Sequence, residues 1–172
     1  MVKVVGGCVI LFCCAGYGVV SAWELRQHER ELHVLKQAIY LLRGEIRHGR
    51  SPLPEAFAAL GERVEAPFGN FFGQLSERLR EGAGKTLGIL WEEEMKEQLN
   101  GSALKPEEKE AFLRLGQSLG YLDLEMQLAS LELYLEQLEE DRKRALKELL
   151  PKQKLYRSLG LAGGAFLVIL LF

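Results

Sequence analysis

The stretch "REGAGKT" (Arg80 to Thr86) places two glycines ahead of a Lys-Thr pair, the residue types that cradle phosphate in a nucleotide-binding loop. That chemistry needs G-x-x-x-x-G-K-[ST] behind a buried strand, so that backbone N–H groups and the lysine converge on the phosphates. The position five residues before Gly84 is Leu79, and the preceding "FFGQLSERLR" has helical rather than strand periodicity. Gly82 and Gly84 therefore read as a turn between two helices, with Thr86 the N-cap of the second.

Two other clusters have chemical potential. "EIRH" (Glu45 to His48) matches the Glu-x-x-His element of di-iron helical bundles. Such a centre requires two copies of the element and two further glutamates. The residues three before His28 and His33 are Leu25 and Arg30, so a second copy is absent from the sequence. His48 is then a helix-end residue near the negative pole of the dipole, and His28 an interfacial residue on the first seam. "EEEMKE" (Glu92 to Glu97) reads as a solvated acidic face, with docking of a basic partner as the alternative. Cys8, Cys13 and Cys14 all lie in one apolar run, which is not how a disulfide framework is distributed. These residues supply no nucleophile, acid–base pair or metal set, so the expectation is a protein that is not an enzyme, with no cofactor, no metal and no small-molecule substrate.

The elements that carry these residues differ sharply along the 172-residue chain. Val4 to Ala22 is 19 residues without a charge, about 28 Å as a helix and close to the hydrocarbon thickness of a bilayer. Trp23 closes it as an interfacial anchor. Val20-Ser21-Ala22 also resembles a signal-peptidase site, but the run is longer than a signal core and continues into a helical pattern. Leu159 to Phe172 is a second uncharged run, extended to Leu155 if Arg157 snorkels toward the headgroups. Within it Gly160 and Gly164 form a small-xxx-small pair suited to close packing of membrane helices. Arg26 and Arg30 after the first run, and seven Lys/Arg residues from Arg142 to Arg157 before the end of the second, place the middle in the cytoplasm by the positive-inside bias. The expected organisation is an N-terminal transmembrane anchor at 1–22, a cytoplasmic helical domain at 23–154 and a C-terminal transmembrane helix at 155–172.

Between the ends apolar residues recur at three and four, with no period-two segment of useful length. Leu25, His28, Leu32, Leu35, Ile39, Leu42 and Ile46 form one seam, stopped by Gly49. Ser51 is a candidate N-cap for a second helix with Pro52 in its first turn. A third helix covers Phe68 to Arg80, interrupted by Gly73. A fourth covers Thr86 to Leu99 with Leu87, Leu90, Trp91 and Met95 inward, and a fifth starts at Pro106 with Phe112, Leu115 and Leu119 inward. The sixth is capped by Asp123 and carries a heptad seam of Leu124, Leu128, Leu131, Leu135, Leu138, Arg142, Ala145 and Leu149 up to Pro151. The fold class is all-α: a six-helix antiparallel bundle, with the first and last helices paired and each leading to a membrane span. Charges nearly balance, 22 Lys+Arg against 24 Asp+Glu, so nucleic acid is not an expected partner.

The stretch "LRGEIRHGRSPLPEAFAAL" (Leu42 to Leu60) resembles the stage III sporulation protein AB family of endospore-forming bacteria, in its helix end, glycine, Ser-Pro-Leu-Pro-Glu-Ala and amphipathic helix. "FLRLGQSLGYLDLEMQ" (Phe112 to Gln127), the basic approach to the end and "KLYRSLGLAGGAFLVILL" (Lys154 to Leu171) extend the resemblance over nearly the whole chain. Lys105 before Pro106 and Tyr121-Leu122 before Asp123 depart from the family's pattern of caps. The resemblance implies a domain similar to the type II secretion and type IV pilus inner-membrane platform. It implies a non-enzymatic scaffold in the mother-cell membrane, in the channel to the forespore. The implied partners are a cytoplasmic secretion-type ATPase and other stage III sporulation membrane proteins. Candidate docking residues are Arg43, Arg47 and Arg50 on one face and Glu92, Glu93 and Glu97 on another. The alternatives are a platform in a pilus or type II secretion system, and an exported, C-terminally anchored protein with a cleaved signal.

Overall fold

A computed structural model of the chain describes the backbone at residues 2–49, 52–82 and 84–171, and the side chains at 23–47, 52–82 and 84–148. Six helices follow one another: α1 Val2–Gly49, α2 Leu53–Arg63, α3 Phe68–Glu81, α4 Leu87–Gln98, α5 Pro106–Leu119 and α6 Leu124–Leu171. There is no strand among the described residues. The apolar runs that would span a membrane lie outside the described side chains, and among the described residues no helix is long and apolar enough to cross one. Gly160, Gly164 and His48 also lie outside them.

The chain divides into two compact units, Arg30–Arg142 and a second made of Met1–Glu29 with Lys143–Phe172. In the second unit the side chains are described at 23–29 and 143–148, where His28 and Ala145 are buried and Trp23 is exposed. The larger unit holds the core. On α1 the seam residues Leu32, Leu35, Ile39, Leu42 and Ile46 are all buried, as a 3-4 repeat on a helix requires. On α6 Leu131, Leu135 and Leu138 are buried, whereas Leu124 is exposed and Leu128 half-buried, so this unit's seam on α6 begins later than the heptad pattern predicts. Salt bridges from Lys36 to Glu139 and from Arg43 to Glu132 make α1 and α6 antiparallel within this unit, because the α1 partner rises in number as the α6 partner falls.

Behind this pair, α2 packs on α3, α3 on α4 and α4 on α5. Their shared interior is aromatic. Phe57, Phe68, Phe71, Phe72, Trp91 and Phe112 are fully buried. Ring centroids lie 5.0 Å apart for Phe71–Trp91 and 4.9 Å for Trp91–Phe112, in edge-on and tilted arrangements. That geometry sets the positive ring edges against the negative faces. Each buried ring contributes roughly 1.5–3 kcal/mol relative to exposure.

Several local expectations are corrected. Gly73 does not interrupt α3, which is continuous from Phe68 to Glu81. Instead Gly73 faces Gly61 of α2: a Cβ on Gly61 would sit 2.8 Å from the Gly73 Cα. The glycines permit a close helix crossing rather than a break. The range of α6 includes Pro151. Met95 is only half-buried, and Glu94 takes its place on the inner stripe of α4. The expected Ser51 cap lies outside the described residues, and Pro52 occupies the N-cap position of α2. Lys105, lacking a capping oxygen, is served from the other side: its N–H donates to Glu108 Oε2 at 2.7 Å. Asp123 caps α6 as expected, accepting from the Met126 N–H at 2.9 Å.

Candidate docking surfaces

The Gly-Lys-Thr loop resolves first. It joins α3 to α4, two helices, with Gly82 and Gly84 at φ 65° and 68°. That left-handed backbone is the reason glycine is used at both turns. Thr86 sits at the N-cap position of α4 but makes no side-chain hydrogen bond there. Lys85, which would grip phosphate in a nucleotide-binding loop, instead donates to both carboxylate oxygens of Glu93, at 2.7 and 2.9 Å. Neither the strand nor the free lysine that the chemistry requires is in place.

What the loop does contribute is an ion-pair truss. Arg78, near the end of α3, donates through Nη1 to Glu94 Oε1 at 2.7 Å and through Nη2 to Glu93. Lys85 closes the network from the turn. Glu94 is 2% exposed, and the Arg78 guanidinium beside it is the partner a buried carboxylate needs. The hydrogen bond to Glu94, then that to Glu93, raises the Arg78 pKa still further. The Glu93 carboxyl is held below its usual range by the hydrogen bond from Lys85 and then that from Arg78.

The acidic run Glu92–Glu97 is therefore not one solvated face. Glu94 points inward and Glu93 ties α4 to α3. Glu92 pairs with Lys96 at 2.6 Å along the helix, and Glu97 is exposed. Glu94 was legible in principle, because it stands three residues after Trp91 on the stripe of Leu87, Leu90 and Trp91. A carboxylate on such a stripe demands a cation from a neighbouring helix.

On α1 the candidate arginines are separated by role. Arg43 pairs with Glu132 at 3.5 Å and stacks over the Tyr40 ring at 5.0 Å. Lys36 approaches the same ring at 5.7 Å. Arg47 is exposed, and Arg50 lies outside the described residues. The buried Glu31 accepts the Ala103 N–H at 2.7 Å and so fastens α1 to the loop between α4 and α5. No group of three or more metal-ligating side chains occurs among the described residues. His33 has its Nε2 3.2 Å from the Gln37 amide, a contact along one helix.

Comparison with known proteins bears on the family and the fold. Residues 3–172 match the family model described as stage III sporulation protein AB. A curated protein named stage III sporulation protein AB, from Bacillus subtilis (strain 168), is 27% identical over 171 residues, covering 99% of each chain. A solved structure of stage III sporulation protein AB superposes with a TM-score of 0.66 at 26% identity, over 72% of this chain and 97% of its own. With a family model matching nearly every residue and a solved relative of the same fold, the chain belongs to the stage III sporulation protein AB family.

Proposed function

We propose that this chain is a non-enzymatic platform of a sporulation channel. It would lie in the mother-cell membrane, anchored by its two apolar runs, with the helical unit in the cytoplasm. There it couples a secretion-type ATPase to the other stage III membrane proteins. Family membership carries the role in sporulation. The observation that supports it best is the construction of the α3–α4 corner. A nucleotide-like loop is spent on a turn, and its lysine on a truss that stiffens two helices. A rigid helical unit transmits displacement, whereas a loosely packed one absorbs it.

Docking falls on two faces: Glu92 and Glu97 on α4, with Glu93 bracing them, and Arg43, Arg47 and Arg50 on α1. Gly160 and Gly164 provide the close approach for partner membrane helices. The test is crosslinked affinity purification of the tagged full-length protein from its own sporulating cells. Recovery of a hexameric ATPase with small membrane proteins supports the reading, and paired reversals at Glu92 and Glu97 should deplete the ATPase alone. Recovery of partners from the far side of the membrane, or intact ATPase capture by reversals on both faces, rejects cytoplasmic coupling.

A further inference from the structure

In the larger unit α1 and α6 are tied by the Lys36–Glu139 and Arg43–Glu132 pairs, and the exposed sides of the two helices differ in character. On α6, Met126 and Leu133 are 53% and 69% exposed. With the exposed Ala129 between them they make a second apolar strip, at i, i+3 and i+7, turned away from the Leu131–Leu135–Leu138 seam. The exposed carboxylates Glu125 and Glu136 flank it. On α1, the exposed Tyr40 is held between Lys36 and Arg43, and Arg47 is exposed one face-repeat further on. Between them a Cβ added to Gly44 would meet nothing within 4 Å. Another helix can therefore approach the backbone closely there.

The Lys36–Glu139 and Arg43–Glu132 pairs also fix how these faces align. Seven residues up α1 correspond to seven down α6. On that register Tyr40 is level with Leu135, Gly44 with Leu131 and Arg47 with Leu128. The basic, aromatic and glycine-notched half thus spans the same levels as the apolar, acid-flanked half. Each half complements the other and neither complements itself. A two-fold axis running parallel to the helices brings each half onto the opposite half of a second copy, using both faces twice in an isologous contact.

We propose that two copies of this chain associate in that way, with the Tyr40–Gly44–Arg47 face of α1 in each copy packed on the Met126–Ala129–Leu133 face of α6 in the other. Tyr40, an aromatic already held by two cations, is the anchor of the contact. Leu133 packs beside it, and Arg47 meets Glu125 of the second copy. The partner is another molecule of the same protein because one chain presents both complementary halves at matching levels. The contact takes up the α1 face, Arg47 included, that the coupling reading also offers for docking, and leaves the α4 face available to the ATPase.

The test uses the full-length chain in membranes, with Cys8, Cys13 and Cys14 replaced by serine. Chains carrying Gly44→Cys and Ala129→Cys, with different tags, are expressed together and oxidised. A disulfide dimer should form between the two tags, at least tenfold stronger than from either variant alone or from Glu97→Cys on α4. Adding Leu133→Glu to both chains, an exposed substitution that circular dichroism should show to be folded, should lower the mixed dimer by about tenfold. Arg47→Glu should weaken it and Glu125→Arg in the same chains should restore it. Equal crosslinking of the single variants, a mixed band insensitive to Leu133→Glu, or no mixed band at all would each overturn the proposal.

Discussion

Where α2 turns into and crosses α3 the approach is backbone to backbone: a Cβ on Gly69 would lie 2.2 Å from the carbonyl oxygen of Val64, the residue just past the end of α2, and one on Gly61 2.8 Å from the Gly73 Cα. At the junction of α3 and α4, farther along the same helix, the contact is made by long charged side chains reaching between the elements. The first contact depends on the absence of atoms, and the second on atoms that must be charged. They therefore have different weaknesses. Adding a methyl group damages the crossing and leaves the junction alone. Removing a charge damages the junction and leaves the crossing alone.

The largest expected effect is at the junction. Arg78→Met leaves the Glu94 carboxylate, 2% exposed, without its cation. Breaking one side of such a pair costs about 3–5 kcal/mol. The combination with Glu94→Leu should regain most of that loss, because an apolar pair of similar volume is often as stable as the ions it replaces. Chemical denaturation followed by tryptophan fluorescence checks both, since Trp91 lies in the adjoining core. A double variant no better than Arg78→Met would show that Arg78 acts through something other than Glu94.

At the crossing, Gly69→Ala should cost about 3 kcal/mol, because the obstructing atom is a backbone oxygen that cannot rotate aside. The Gly61 and Gly73 pair sharpens the point. Gly61→Ala meets backbone at 2.8 Å and should destabilise by about 1–2 kcal/mol. Gly73→Ala meets nothing nearer than 3.9 Å and should stabilise by up to ~1 kcal/mol through helix propensity. Two glycines facing each other thus respond with opposite signs. Equal responses in denaturation midpoint would mean that the crossing is not set by glycine contact.

This asymmetry also explains what the sequence could and could not reveal. The seam on α1 was legible from Leu32 to Ile46, because burial follows period there and no other force competes. The helix start at Pro106 and the cap at Asp123 were legible for the same local reason. Gly73 was misread as an interruption, since a glycine in a helix pattern signals either a break or a close approach and only the opposing Gly61 decides. The inward place of Glu94 was open to reading from its stripe, but its partner was hidden, because Arg78 lies sixteen residues away on another helix. The exposed Leu124 has a similar origin: a heptad pattern gives the face of a helix but not where its partner begins. Of the candidate docking residues, charge and helix position were readable, but the pairing of Arg43 with Glu132 and of Glu93 with Arg78 was not.

The smallest effect separates the charged junction from the crossing by pH. Lys85 and then Arg78 hold the Glu93 carboxyl below its usual range. A carboxyl whose folded pKa is lowered gives stability that is fully present above its unfolded value of about 4.3. That contribution disappears as pH falls from there through the folded pKa. Unfolding midpoints should therefore decline on acidification below about pH 5, and Glu93→Gln should flatten part of that decline. Gly61→Ala, which touches no titrating group, should shift the whole curve down without changing its slope. If Glu93→Gln left the acid slope intact, the pairs from Lys85 and Arg78 would be dispensable contacts at the surface, and the stiffness of the corner would rest on Glu94 and the aromatic core.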